Sequence, residues 1–152
     1  MEEGKEGLKT SAENSWEALK VGKYEVVEGL LYTREHEWVK VVDQNRVIIG
    51  ITDYAGQLLH EVVYVSLSAV NTEVKRMQSL GNVESVKAVS DIFSPLSGTI
   101  VKVNESLTVN PEHVNQSPYN EGWLVEIKPK DLQGERKQLL EAEDYTKFLE
   151  HP

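Results

Sequence analysis

Cysteine is absent from the 152 residues. Its absence excludes disulfides, thiolate metal sites and cysteine nucleophiles, so any sulfur chemistry must arrive on a cofactor. Basic residues are also in short supply. Sixteen Lys and Arg face twenty-five Asp and Glu, a formal net charge of −9, and an acidic surface repels phosphate backbones and anionic lipid head groups. Nucleic acid and membrane surfaces are therefore poor partners. No apolar run approaches the ~18 residues a membrane helix needs. The first arginine is Arg34, and the opening residues are acidic rather than basic and apolar, so neither a secretory signal nor a presequence is expected. The expected compartment is a reducing cytoplasm, in which the Asn-x-Ser matches at Asn104 and Asn115 are chance.

Sites for common chemistry are lacking too. There is no GxGxxG, no Walker loop and no GxSxG elbow. The four histidines, His36, His60, His113 and His151, are scattered, and His60-Glu61 fails as a zincin start because Tyr64 stands where the second histidine is required. Surface or hydrogen-bonded core histidines are the expectation, without a metal.

What is present is a series of short runs rich in β-branched residues: 37–42, 46–52, 61–67, 81–86, 98–104 and 122–127. Turn signals at Asp43-Gln44-Asn45, Ser94-Pro95 and Ser97-Gly98 separate them. Short helices are expected over 53–59 and after Asn110-Pro111-Glu112, where an N-cap residue precedes proline. Beyond Pro129 the apolar spacing turns helical, with a break near Glu143. Many strands with little helix between them favour a sandwich or barrel of antiparallel sheets. The expected organisation is an extension over 1–20, flexible or a short helix carrying Trp16 and Leu19, a β domain over 21–130, and a C-terminal helical segment over 131–152 packed on the same domain.

One segment is unlike generic core. In 81–93 two strand-like runs meet around a single lysine, Lys87, and a hairpin turn near 86–88 projects that side chain into solvent. A Schiff-base lysine needs burial to lower its pKa, which a hairpin tip does not supply, so a modification site suits the geometry better than a catalytic amine.

Five blocks in register, Leu31-Tyr32-Thr33-Arg34-Glu35-His36-Glu37-Trp38-Val39, Gly50-Ile51-Thr52-Asp53-Tyr54-Ala55, Val83-Glu84-Ser85-Val86-Lys87-Ala88-Val89-Ser90-Asp91, Ser94-Pro95-Leu96-Ser97-Gly98 and Ser117-Pro118-Tyr119 with Gly122-Trp123, closely resemble the H-protein of the glycine cleavage system. The resemblance runs from about Glu25 to Phe148. It implies a lipoyl/biotinyl-type flattened barrel or sandwich of two small antiparallel sheets, and a monomeric carrier without catalytic residues of its own. Lipoic acid is then joined in amide linkage to Lys87, with Val86 and Ala88 at flanks where biotinyl domains place methionines. Glu84, Ser85, Val86 and Ala88 become the recognition residues for a lipoate ligase or lipoyl/octanoyl transferase. By the same resemblance, P-protein loads an aminomethyl group on the arm, T-protein passes the one-carbon unit to tetrahydrofolate and L-protein reoxidises the arm. Glu37 and Asp91 match acids that line the cleft for that cationic group.

The sequence departs from the family at His60, where glycine is usual, and at Ser68, where proline is frequent, both expected to border the cleft. If glycine supplies a positive φ at that point, His60 carries strain. Two rival readings share these residues: a lipoyl relay protein that supplies lipoate or octanoate to other enzymes, and a β-domain interaction protein with Lys87 unmodified.

Overall fold

The computed structural model describes residues 18–151. The fold is mainly β, antiparallel throughout, with short helices and a C-terminal helix. The strands are β1 (Ala18–Val21), β2 (Tyr24–Val27), β3 (Leu31–Tyr32), β4 (Glu37–Asp43), β5 (Arg46–Ile51), β6 (Val62–Leu67), β7 (Glu73–Val74), β8 (Ser79–Ser85), β9 (Val89–Phe93), β10 (Gly98–Val103), β11 (Val125–Pro129) and β12 (Leu140–Glu141). The helices are α1 (Asp53–Leu59), α2 (His113–Gln116), α3 (Leu132–Glu135) and α4 (Ala142–Glu150). The strands divide into three sheets rather than two: seven strands in the order β12-β3-β4-β5-β11-β10-β7, three in the order β6-β8-β9, and the hairpin β1-β2.

Two cores result. An aliphatic core fills the space between the seven- and three-stranded sheets, with Val39, Ile49, Ile51, Ile100 and Ile127 from one and Val62, Leu80, Val83 and Ile92 from the other. An aromatic core of Tyr32, Trp38 and Tyr145 lies beneath the β1-β2 hairpin and α4. Adjacent residues of β3 and β4 serve different cores: Leu31 and Val39 enter the first, Tyr32 and Trp38 the second. Both faces of these strands are covered, which is why Glu37, Trp38 and Val39 are buried in succession. Gly50, opposite Trp38, is needed there, since a Cβ would lie 2.5 Å from the indole.

Several sequence expectations shift at their edges. Leu19 is in β1 rather than a helix, because Gly22, with φ +61, and Lys23 close a tight two-residue turn onto β2. The capping box at 14–17 lies outside the described residues. Pro111 opens a tight turn, with His113 N donating to Asn110 O and Val114 N to Pro111 O, and α2 begins only afterwards. The run at 122–127 becomes a strand only from Val125, because Gly122 to Leu124 complete a loop in which Asn104 Nδ2 donates to the Glu121 and Trp123 carbonyls. The break expected near Glu143 falls at 139–141, where β12 pairs with β3.

Candidate functional site

Strands β8 and β9 meet in the turn 86–88, with Lys87 exposed at its tip. Ser85 builds this turn. Its Oγ accepts from Lys87 N and Ala88 N, both at 3.1 Å, and donates to Ala88 O, while Ser85 N donates to the same carbonyl at 2.8 Å. The serine hydroxyl is buried and fully used inside the hairpin, so turn formation accounts for it. Val86 is 69% exposed, but its N–H donates to Glu61 O, which ties the tip to the segment entering β6. Glu84 is exposed between Tyr64 and Val89 in the cross-strand register. Lys87 Nζ points toward Leu58 O, 3.4 Å away, at the end of α1.

Leu58 lines a cavity of about 420 Å³. Apolar walls come from Ile51, Ala55, Leu59, Val89, Ile92 and Phe93, and polar groups from Glu35, His36, Glu37, Ser90 and Asp91. Glu37 and Asp91, distant in sequence, therefore share one cavity. Glu37 is 1% exposed. One carboxylate oxygen accepts from Thr33 Oγ1 at 2.5 Å and the other from Phe93 N at 3.1 Å. Burial pushes Glu37 up to about 7 from 4.5, against the opposing pull of those two donors. Phe93 belongs to the open edge of the three-stranded sheet, so this acid also bridges the two large sheets.

Behind Glu37 stands a second polar layer. His36 adopts φ +73, its N–H donates to Thr33 O, and its Nδ1 lies 2.8 Å from Tyr145 Oη, which is 2.9 Å from Thr52 Oγ1. Burial lowers the His36 pKa, which favours the neutral ring in this pairing. Thr52 also caps α1 through Ala55 N. The helix that walls the cavity is thus anchored to the loop that leads into Glu37 at the start of β4.

The turn between α1 and β6 carries the expected strain. His60 has φ +62 and ψ −154, a region that glycine occupies readily and other residues rarely, at about 1–3 kcal/mol. Asn115 of α2 surrounds it: Oδ1 accepts from Val62 N at 2.8 Å, and Nδ2 donates to Gly56 O at 2.9 Å and to His60 O. Neither His60 nor Ser68 is itself a lining residue, although His60 directly follows Leu59, which lines the cavity. Ser68 N donates to Leu80 O at 2.8 Å, a bond that proline could not make.

Lys87, Glu37 and Asp91 are thus brought to one region as the sequence expects. Thr33, Thr52, Tyr145 and Asn115 were not singled out from the sequence. Their contacts reach as far as 109 residues, and only Thr33, close to Glu35 and Glu37, and Thr52, the N-cap of α1, carry local signals. Asn104 and Asn115 both direct their amide nitrogens to backbone carbonyls, which explains these asparagines without a glycan. No helix among the described residues is long and apolar enough to cross a membrane.

Comparison with known proteins gives concordant matches. The family model for the glycine cleavage H-protein matches residues 30–152. A probable glycine cleavage system H protein of Pyrococcus abyssi is 48% identical over 131 residues, covering 86% of this chain and 97% of that protein. The glycine cleavage system H protein of Geobacillus thermodenitrificans is 53% identical over 120 residues, covering 79% and 93% respectively. Among solved structures, the crystal structure of a glycine cleavage system H protein from Mycobacterium marinum superposes with a TM-score of 0.74 at 34% identity, covering 80% of this chain and 97% of that one.

Proposed function

The chain belongs to the glycine cleavage H-protein family, and from that premise we propose that Lys87 carries its lipoyl group in amide linkage. The chain is a lipoyl carrier protein of the glycine cleavage system. No finding favours the lipoate-relay reading. The observation that carries the proposal is the placement of Lys87, exposed at a hairpin tip with Nζ directed to the rim of a cavity that holds Glu37 and Asp91.

The residues fit the group. An exposed primary amine is open to acylation, and the apolar walls suit a short hydrocarbon chain ending in sulfur. Lipoate, when attached, supplies a disulfide that accepts a one-carbon unit and two electrons. Attachment forms one amide bond from Lys87 Nζ and an activated acyl carbon, with loss of the activating group and a proton. Ser85 holds the turn so that Lys87 projects, and Glu84, Val86 and Ala88 present the surface that the attaching enzyme reads.

Glu37 and Asp91 would serve a cationic aminomethyl end inside the cavity, since charge-assisted hydrogen bonds are the strong ones. A buried cation lowers the pKa of a nearby carboxyl, so Glu37, raised to about 7 by burial, is positioned to ionise when the cation arrives. Apolar walls and Glu37 together exclude water from a group that hydrolyses readily. The partners in this reading are P-protein, T-protein and L-protein, with a lipoate ligase or lipoyl/octanoyl transferase for attachment, and the carrier works as a cytoplasmic monomer.

Intact mass tests the assignment. Protein made with a lipoate ligase present should gain one lipoyl adduct, and Lys87→Arg should gain none. An adduct that persists in Lys87→Arg would overturn it.

A further inference from the structure

Among the described residues, three hydrogen bonds of the Asn115 side chain go to the α1–β6 turn and the two elements it joins. Nδ2 holds the Gly56 and His60 carbonyls, and Oδ1 holds the Val62 N–H, so a single amide joins α1, the turn and the start of β6. Helix α2 approaches closely enough for this because residue 56 is glycine, whose position leaves a Cβ only 3.3 Å from Val114 O. Two contacts to the lysine hairpin come from the same stretch, beside the β6–β8 ladder that begins at Val62 and Ser85: Glu61 O accepts from Val86 N, and Leu58 O, in the last turn of α1, accepts from Lys87 Nζ. His60, between them, has a backbone conformation that its side chain disfavours.

We infer that Asn115 is a positioning residue for Lys87, holding the strained α1–β6 turn in the shape that docks the lysine hairpin at the cavity rim. Without the clamp, His60 relaxes toward ordinary φ, Glu61 and Leu58 move, and the hairpin tip loses its seat. The consequence for the carrier rests on the reading of Lys87 given above. The docking itself does not, and it is measurable on the unmodified chain.

The test is amide hydrogen exchange by NMR at Val86 and Val62. Asn115→Ala should speed exchange at both amides about tenfold or more, as loss of a local restraint does. Asn115→Asp keeps the acceptor and loses both donors. It should speed Val86 similarly, and it supplies the measurement if Asn115→Ala does not fold. Adding His60→Gly to either variant should restore at least half of the lost protection on a logarithmic scale, because glycine holds the turn without strain. Ile100→Val, which trims the aliphatic core elsewhere, should leave both amides unchanged even though it lowers Tm. In lipoylated, loaded protein, Asn115→Ala should release formaldehyde faster than wild type.

Unchanged Val86 exchange in both Asn115 variants overturns the inference. So does equal acceleration by Ile100→Val, or failure of His60→Gly to restore protection. If wild-type chain takes up no lipoyl adduct while the amides respond as stated, the assignment of Lys87 fails and the clamp stands, so the two failures are separable.

Discussion

The cavity has two unlike walls. One is the β3–β4 side, where Glu37 is held by Thr33 and Phe93 and backed by His36, Tyr145 and Thr52, between two cores. The other is the β8–β9 hairpin tip with the α1–β6 turn, where Val86, Val89 and Leu58 are exposed and a few backbone hydrogen bonds fix position. The first wall is built to stay, the second to present. On the proposed reading of Lys87 a carrier uses both, a tip that other proteins can reach and a cavity that keeps its shape. Local stability in such folds follows buried contacts, so the division of labour is written in burial.

Removing the aromatic support should break the contrast most severely. Trp38 is 2% exposed and its Nε1 donates to Pro118 O at 3.0 Å. Trp38→Ala should lower unfolding free energy by about 3–5 kcal/mol in denaturant titration, and the rigid wall should become as mobile as the hairpin. The charge on that wall comes next. Glu37 is raised to about 7 in the folded chain from 4.5, so the folded state holds this proton more tightly than the unfolded chain. The contribution of Glu37 to stability should therefore be greatest below about 4.5, fall as pH rises to about 7, and stay reduced above it. Glu35, His36 and Asp91 line the same cavity and are present in both wild type and variant. Glu37→Gln should flatten that slope by about 3 kcal/mol relative to wild type, a comparison of denaturant midpoints across pH. The smallest effect belongs to the presenting wall. Ser85→Ala should lower global stability by only about 1 kcal/mol, yet raise amide exchange at Lys87 and Ala88, whose N–H groups lose their acceptor. If Ser85→Ala destabilised the chain as much as Trp38→Ala, the contrast between the walls would be wrong.

The parts legible in the sequence are those encoded locally. Six β-rich runs correspond to β4, β5, β6, β8, β10 and β11 with edges moved by up to three residues, and α1 falls where expected. The hairpin at Lys87 was readable because its turn residues lie beside it. Strands β3, β7 and β12 were not, since each has only two residues, too few to show an alternation, and β7 and β12 exist only through partners remote in sequence. The site divides in the same way. Lys87, Glu37 and Asp91 are visible through motif resemblance, whereas Asn115 gains its role from contacts more than fifty residues away. The environment of His60 could be anticipated from the residue type the family prefers, but its clamp by Asn115 could not, because that depends on how α1 and α2 meet.

The shortness of β7 and β12 has another result. They form the two ends of the seven-stranded sheet, and each offers only two residues of backbone for a further strand to join. The β9 margin of the other sheet gives one of its N–H groups to Glu37. Such abbreviated margins are poor templates for strand-by-strand aggregation. The seven-stranded sheet thus leaves little open backbone at either end for a second copy to extend.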